Sequence, residues 1–188
     1  MLGVIHSKSY PHDALLDAAL EAQKPLPGTQ ETILNLLHGN AGAYLKPQTR
    51  EALMKFLKAY AALFDQIDAK HVLCHGDFNF GNIMVSGTLV HFIDFEFAHA
   101  GPIYQDIGQF FRRKGADLQA LIDDGIYKSF ADGYDAFSCS PLPPDWLQLA
   151  RLCDISSMLR LINRENVPNA WVADIETDIL HALHAYSP

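Results

Sequence analysis

No stretch of the 188-residue sequence approaches the roughly 18 consecutive apolar residues of a membrane span. Met1 is followed by neither a basic segment nor a short apolar core of the kind that directs secretion. Cysteine is scarce, with only Cys74, Cys139 and Cys153 and no Cys-x-x-Cys pair. That count argues against a disulfide framework or a thiolate zinc ribbon, and it suits a reducing compartment in which the three are small buried hydrophobes. Basic residues are outnumbered, 14 Lys and Arg against 22 Asp and Glu, for a net charge of −8. Such a balance argues against the basic face that nucleic acid requires. No repeat or low-complexity tract is present. The expectation is a soluble, cytoplasmic chain with neither a membrane nor a nucleic-acid partner.

What is present suits one globular domain over residues 1–188, since 49% of the residues are apolar. The first 70 residues read as helices. Asp13 is expected to cap a short helix that ends near Lys24, before Pro25-Leu26-Pro27-Gly28. Thr29 is expected to cap a second, which Gly39 ends, with Gly39 to Gly42 forming a cap and turn. From Pro47, the spacing of Leu53, Phe56, Leu57, Tyr60, Leu63, Phe64 and Ile67 predicts one long amphipathic helix. The pattern changes at His71. Val72 to Cys74 reads as a strand, and Ile83 to Val85 and Leu89 to Ile93 as a hairpin around Ser86-Gly87-Thr88. Helices return from Asp106, with candidates over 117–137, from Asp145 to about Asn163, and after Pro168.

The chemistry is concentrated between His75 and Ile107. Asp77 and Asn82 lie on a loop between two strands, and Asp94 follows the second strand of the hairpin. A hairpin returns its end near its start, so Asp94 is expected close to Asn82. One or two carboxylates and an amide oxygen suit Mg²⁺, which fills its other positions with phosphates and water. Phosphoryl transfer needs such charge neutralisation, together with one group that orients the attacking hydroxyl, and a carboxylate is adequate for that.

His75-Gly76-Asp77-x-x-x-x-Asn82, then Ile93-Asp94-Phe95-Glu96, then Gly101-Pro102-x-x-x-Asp106-Ile107 together resemble the aminoglycoside phosphotransferase and choline kinase family. The close match spans residues 72 to about 113. The resemblance implies a mainly helical α+β fold, the C-terminal lobe of a protein-kinase-like structure with a small β-hairpin. It implies that Asp77 is the catalytic base, that Asn82 and Asp94 bind Mg²⁺, and that His75 and Asp106 support the loop. Glu96 stands either near substrate, or around the metal's waters, or as a solvated acid. ATP or GTP is the implied phosphoryl donor, and a small-molecule hydroxyl, on an aminoglycoside or an amino alcohol, the implied acceptor. Asp123, Asp124 and Asp154 are candidates to meet a cationic acceptor, or to serve as surface acids and caps.

Neither a glycine-rich strand connection nor a strand lysine paired with a helix glutamate is found before His75. Leu2 to Ser7 resembles the family's first helix after the hinge, so the N-terminal lobe is expected to be missing. A non-catalytic remnant that keeps the lobe is the alternative reading, and a metal-dependent hydrolase a third. Leu2, Val4, Ile5 and the apolar walls near the cleft are then expected to be uncovered. They would pair with a second copy or with a separately encoded N-terminal lobe.

Overall fold

A computed structural model describes residues 2–87, 89–112, 124–138 and 141–186. The chain opens with a single helical turn, α1 (Leu2–Ile5), followed by three short strands, β1 (Ser9–Tyr10), β2 (Ala14–Leu16) and β3 (Ala22–Pro25). The helix expected between Asp13 and Lys24 is therefore a hairpin. Turn chemistry prevails there over helical propensity: the Asp17 carboxylate accepts from the backbone N–H groups of Ala19 and Glu21, and Leu20 takes a left-handed φ of 60°. Tyr10 Oη fixes the same turn by donating to the Leu20 carbonyl at 2.9 Å.

Helices α2 (Thr29–His38) and α3 (Asn40–Tyr44) follow, and Gly39 both ends the first and starts the second. The residues expected to form only a cap and turn thus include a short helix. Thr29 is the first residue of α2, and the flanking cap position is Gly28. The long helix read from Pro47 is two, α4 (Pro47–Ala59) and α5 (Ala61–Ile67), broken at Tyr60 with φ −118° and ψ 34°. A stack of Tyr60 on Phe56 and a hydrogen bond from Tyr60 Oη to the Tyr186 carbonyl hold the break. It leaves Phe64 and Ile67 fully buried.

Strand β4 (His71–Cys74) comes next, then the hairpin β5 (Ile83–Ser86) and β6 (Leu89–Phe92), and then β7 (His99–Pro102). The remaining helices are α6 (Ile103–Phe111), α7 (Asp124–Asp135), α8 (Trp146–Ile162) and α9 (Asn169–His184). Five strands form one antiparallel sheet in the order β1-β4-β7-β2-β3, and β5 and β6 form a second. The hairpin register, Ile83 opposite Phe92 and Ser86 opposite Leu89, fits the expected strand-turn-strand pattern. The larger sheet was not anticipated, because its N-terminal strands are only two to four residues long. Strands that short carry no readable alternation.

The core lies around α8, which buries Leu149, Leu152, Ile155, Leu159 and Ile162 completely. Helix α6 packs closely across it. A Cβ at Gly108 would meet the Ala150 carbonyl oxygen at 2.3 Å, so only glycine permits this approach. Replacing Gly108 by alanine is expected to cost about 1–3 kcal/mol through overpacking, measured as a lower urea midpoint at unchanged slope. Cys74 and Cys153 are free and buried, and their burial pushes both thiols well up. Cys139 lies outside the described residues. No described helix is long and apolar enough to cross a membrane.

Candidate active site

The loop after β4 is held from below by two side chains of α6, one turn apart. The buried Asp106 carboxylate accepts the His75 N–H at 2.7 Å and the Gly76 N–H at 3.0 Å. Three residues on, Gln109 accepts the Phe78 N–H at 2.8 Å and donates to the Gly76 carbonyl at 3.0 Å. Four backbone groups of the segment 75–78 are thus fixed by side chains at i and i+3 of one helix. Asp106 is held by His6 as well, whose Nε2 lies 3.2 Å from Oδ2, while His6 Nδ1 meets Tyr134 Oη at 2.9 Å. Burial alone would raise the Asp106 carboxyl, but the His6 hydrogen bond and charge and the two amides hold it below its usual value.

Gly76 permits the turn between His75 and Asp77. Its φ is +85°, and a Cβ there would stand 2.1 Å from the Phe97 carbonyl oxygen. His75 Nδ1 faces the Asp77 N–H at 3.4 Å, which leaves Nε2 to donate to the Ile93 carbonyl at 2.9 Å. Its ring also lies 4.3 Å, centroid to centroid, from that of Phe95. His75 therefore ties the loop to the segment that carries Asp94.

Asp77 is half-buried. Its Oδ2 accepts from Asn82 Nδ2 at 3.0 Å, and the same amide nitrogen donates to the Asp77 carbonyl at 2.9 Å. With the nitrogen committed twice to Asp77, the Asn82 Oδ1 is left as an acceptor. Asn79 caps a single 3-10 turn over Phe80–Asn82 by accepting the Gly81 N–H. The Ile93 N–H donates to the Asn82 carbonyl at 3.0 Å, so the backbone brings the end of the hairpin back to its beginning. Asp94 comes next, exposed, at a left-handed φ of 66°. An aspartate held in that conformation stores about 1–3 kcal/mol of strain, a feature that clusters at functional sites. Glu96 is exposed two residues later.

One exposed carboxylate and a free amide oxygen at the two ends of a hairpin are a donor set that fits Mg²⁺, a cation that usually takes one or two protein carboxylates. The structure describes His99 as buried, its ring between the Phe97 carbonyl and the Gln105 side chain. His91 lines an open groove with Val4, Ile5, Val90, Phe92 and Phe95. Of the apolar residues expected to be uncovered, Val4 is exposed and Ile5 half-buried, but Leu2 is in the core. The reason is close packing of α1 against the end of α7, where a Cβ on Gly3 would meet the Tyr134 carbonyl oxygen at 2.6 Å.

Asp154 is neither a surface acid nor a cap. It is buried and grips Arg112 with two hydrogen bonds, at 2.6 and 2.8 Å. Burial opposes the Arg112 charge, but Asp154, with Asp178 and Asp77 behind it, holds the guanidinium above its ordinary value. A pocket opens at this pair, between Phe111, Arg151, Asp178 and His181. Asp123 and the Asp124 side chain lie outside the described residues. Sequence reasoning missed Gln109, His6 and the Arg112–Asp154 pair. For Gln109 a signal existed, its i+3 spacing from Asp106. For His6 and Arg112 the partners lie 100 and 42 residues away in the chain.

Comparison with known proteins adds to this geometry. The model of the phosphotransferase enzyme family (APH) matches residues 12–152. No curated protein sequence matches the chain. Among solved structures, a putative fructosamine-3-kinase from Thermobifida fusca YX-ER1 superimposes with a TM-score of 0.64 at 19% identity, over 96% of this chain and 62% of that one. The chain thus shares the fold of that protein and spans less than two thirds of its length. The aminoglycoside phosphotransferase APH(3'')-Id from Streptomyces rimosus ATCC10970, in complex with ADP and streptomycin, is a more distant likeness. It gives a TM-score of 0.46 at 22% identity, over 67% of this chain and 50% of that one.

Proposed function

The chain belongs to the phosphotransferase enzyme family, and from that premise we propose that it carries the catalytic loop and metal centre of a small-molecule kinase. The γ-phosphoryl group of ATP, or of GTP, passes to a hydroxyl of a small molecule, of which an aminoglycoside or an amino alcohol is an example. The observation that carries this reading is the clamped loop, which presents the Asp77 carboxylate on a backbone fixed by Asp106 and Gln109.

In this reading Asp77 accepts a hydrogen bond from the acceptor hydroxyl and orients it for in-line attack. The Asn82 amide holds one Asp77 oxygen, so the other is directed to substrate. Asn82 Oδ1 and Asp94 hold Mg²⁺, which supplies charge neutralisation at the phosphates. His75 keeps the two ligand-bearing segments together through Ile93. Glu96, exposed two residues after Asp94, binds the metal's waters or the acceptor in this reading, the alternative being a solvated acid. The pocket at Arg112 and Asp154 is the proposed acceptor site, since it opens between the C-terminal helices α6, α8 and α9 and is lined by charged side chains of two of them, Asp154 and Asp178.

Met84, Val85 and Leu89 are exposed on the hairpin, and Val4, Val90, Phe92 and Phe95 line one open groove between the hairpin and the start of the chain. It corresponds to the C-terminal-lobe face on which a nucleotide-covering lobe would pack, with a second copy of the chain as the competing partner. Light scattering separates the two, since self-association alone raises the mass of the isolated chain. The site is cytoplasmic in this proposal.

Calorimetric titration with Mg²⁺ and ATP tests the metal centre. The isolated chain should bind weakly, with a dissociation constant well above micromolar. Asp94→Asn should weaken Mg²⁺-dependent binding at least tenfold, a loss of about 1.4 kcal/mol, and leave metal-free binding unchanged. Equal titrations for both chains would remove Asp94 from the metal centre.

A further inference from the structure

A second group of ligands lies on the larger sheet, on segments that carry none of the residues assigned above to phosphoryl transfer. Asp13 immediately precedes β2, Asp68 ends α5, and His71 begins β4. One ligand atom from each lies within 4.8 Å of the other two. The sheet explains the convergence. Strands β2 and β4 both pair with β7, on its two sides, with Ala14 opposite Ala100 and His71 opposite Pro102.

The chemistry of the three is incomplete as it stands. Asp13 is 7% exposed, and its Oδ1 has no hydrogen-bond partner although it lies buried. That atom stands 3.6 Å from His71 Nε2, within ion-pair reach but longer than a hydrogen bond. Asp68 is oriented by a neighbour in the manner of a metal ligand. Thr29 N–H donates to Oδ2 at 2.8 Å and Thr29 Oγ1 to Oδ1 at 2.6 Å. Two carboxylates drawn from water leave two negative charges. A protonated His71 offsets one of them, whereas a divalent cation with neutral imidazole offsets both.

We propose that Asp13, Asp68 and His71 form a structural site for Zn²⁺. The metal ties the N-terminal hairpin β2–β3 to the end of α5 and to β4. Imidazole and carboxylate are ordinary zinc ligands, with bonds of about 2.0–2.2 Å. Tetrahedral ligands at that length stand about 3.4 Å apart, close to the observed separation of Asp13 and His71. Water completes the fourth position from the adjoining pocket, which Asp13 and Thr29 line together with Leu26 and Pro27. The other trio of this kind among the described residues, His6, Cys74 and Asp106, is already committed: His6 and Asp106 bond to each other, and Asp106 also to the loop amides.

The test is titration of the metal-free chain with Zn²⁺ and, separately, with Co²⁺ as a spectroscopic probe. The expected result is one Zn²⁺ per chain and a thermal midpoint raised by about 5–10 °C at a hundredfold excess over the dissociation constant. The Co²⁺ complex should show visible d–d bands without a thiolate charge-transfer band. Asp13→Asn and His71→Gln should abolish stoichiometric binding, and Thr29→Val should weaken it about 10- to 100-fold. Melting of each metal-free variant establishes that it is folded. A thiolate band, equal binding by the variants, or no one-to-one binding by the unaltered chain below about 100 μM would each overturn the proposal. The last outcome leaves an ion triad only, and the Co²⁺ spectrum of the unaltered chain decides the matter even if a variant fails to fold.

Discussion

Replacing Asp106 by alanine should lower stability by about 3–5 kcal/mol, the largest effect expected of any single change in the loop and its supports. The carboxylate is fully buried and accepts from the His75 and Gly76 amides and from His6. Its removal leaves those donors buried without an acceptor, at about 1–3 kcal/mol each before relaxation. For a chain of this length that corresponds to roughly 6–20 °C in thermal midpoint. The pH dependence gives a second signature. The folded-state pKa of Asp106 is below its ordinary value. Its contribution is therefore fully present above the unfolded-state value of about 3.9 and is lost as pH falls through the folded one. The gap between the variant and the unaltered chain should then narrow only in acid. A variant that melts within about 1 kcal/mol of the parent at neutral pH would show that Asp106 does not hold the loop.

The candidate site residues were more legible in the sequence than the fold around them. His75, Asp77, Asn82, Asp94 and Asp106 fall within 32 residues, and local turn chemistry brings most of them together. The hairpin was legible because Ser86-Gly87 interrupts two apolar runs, and Gly87 does adopt a left-handed φ of 61°. The segment expected as a helix from Asp13 to near Lys24 is a hairpin, within a first 70 residues that read as helices. Strands β1 and β2 gain stability from pairing with β4 and β7, about 61 to 86 residues later, and a local window does not see such partners. The long helix failed at Tyr60 for the same reason, since its hydroxyl answers to Tyr186 at the other end of the chain. From sequence, Asp154 reads as an acceptor-binding, surface or capping acid, because its charge alone is visible. The Arg112 guanidinium that justifies its burial lies across the α6–α8 contact.

Asp77→Asn should separate chemistry from folding. The side chain is half-buried and its carboxylate accepts a hydrogen bond from Asn82 that an asparagine oxygen can also accept, so stability should change by less than about 1 kcal/mol. Nucleotide binding should be unchanged, because the ligands proposed for Mg²⁺ are Asn82 and Asp94. Phosphoryl transfer should fall by about 10²- to 10⁴-fold, the usual worth of a positioned base. An asparagine keeps the shape but cannot draw the hydroxyl proton. The fall should appear in kcat and kcat/KM equally, as for an interaction made only in the transition state.

The most direct measurement is transfer of label from γ-labelled ATP to a panel of aminoglycosides and amino alcohols, with Mg²⁺ or with excess chelator. It is run on the chain alone and with a nucleotide-covering lobe of the family added in trans. The account predicts labelled product with Mg²⁺, none with chelator, and a drop of at least a hundredfold in Asp77→Asn. Undiminished transfer by Asp77→Asn would contradict it.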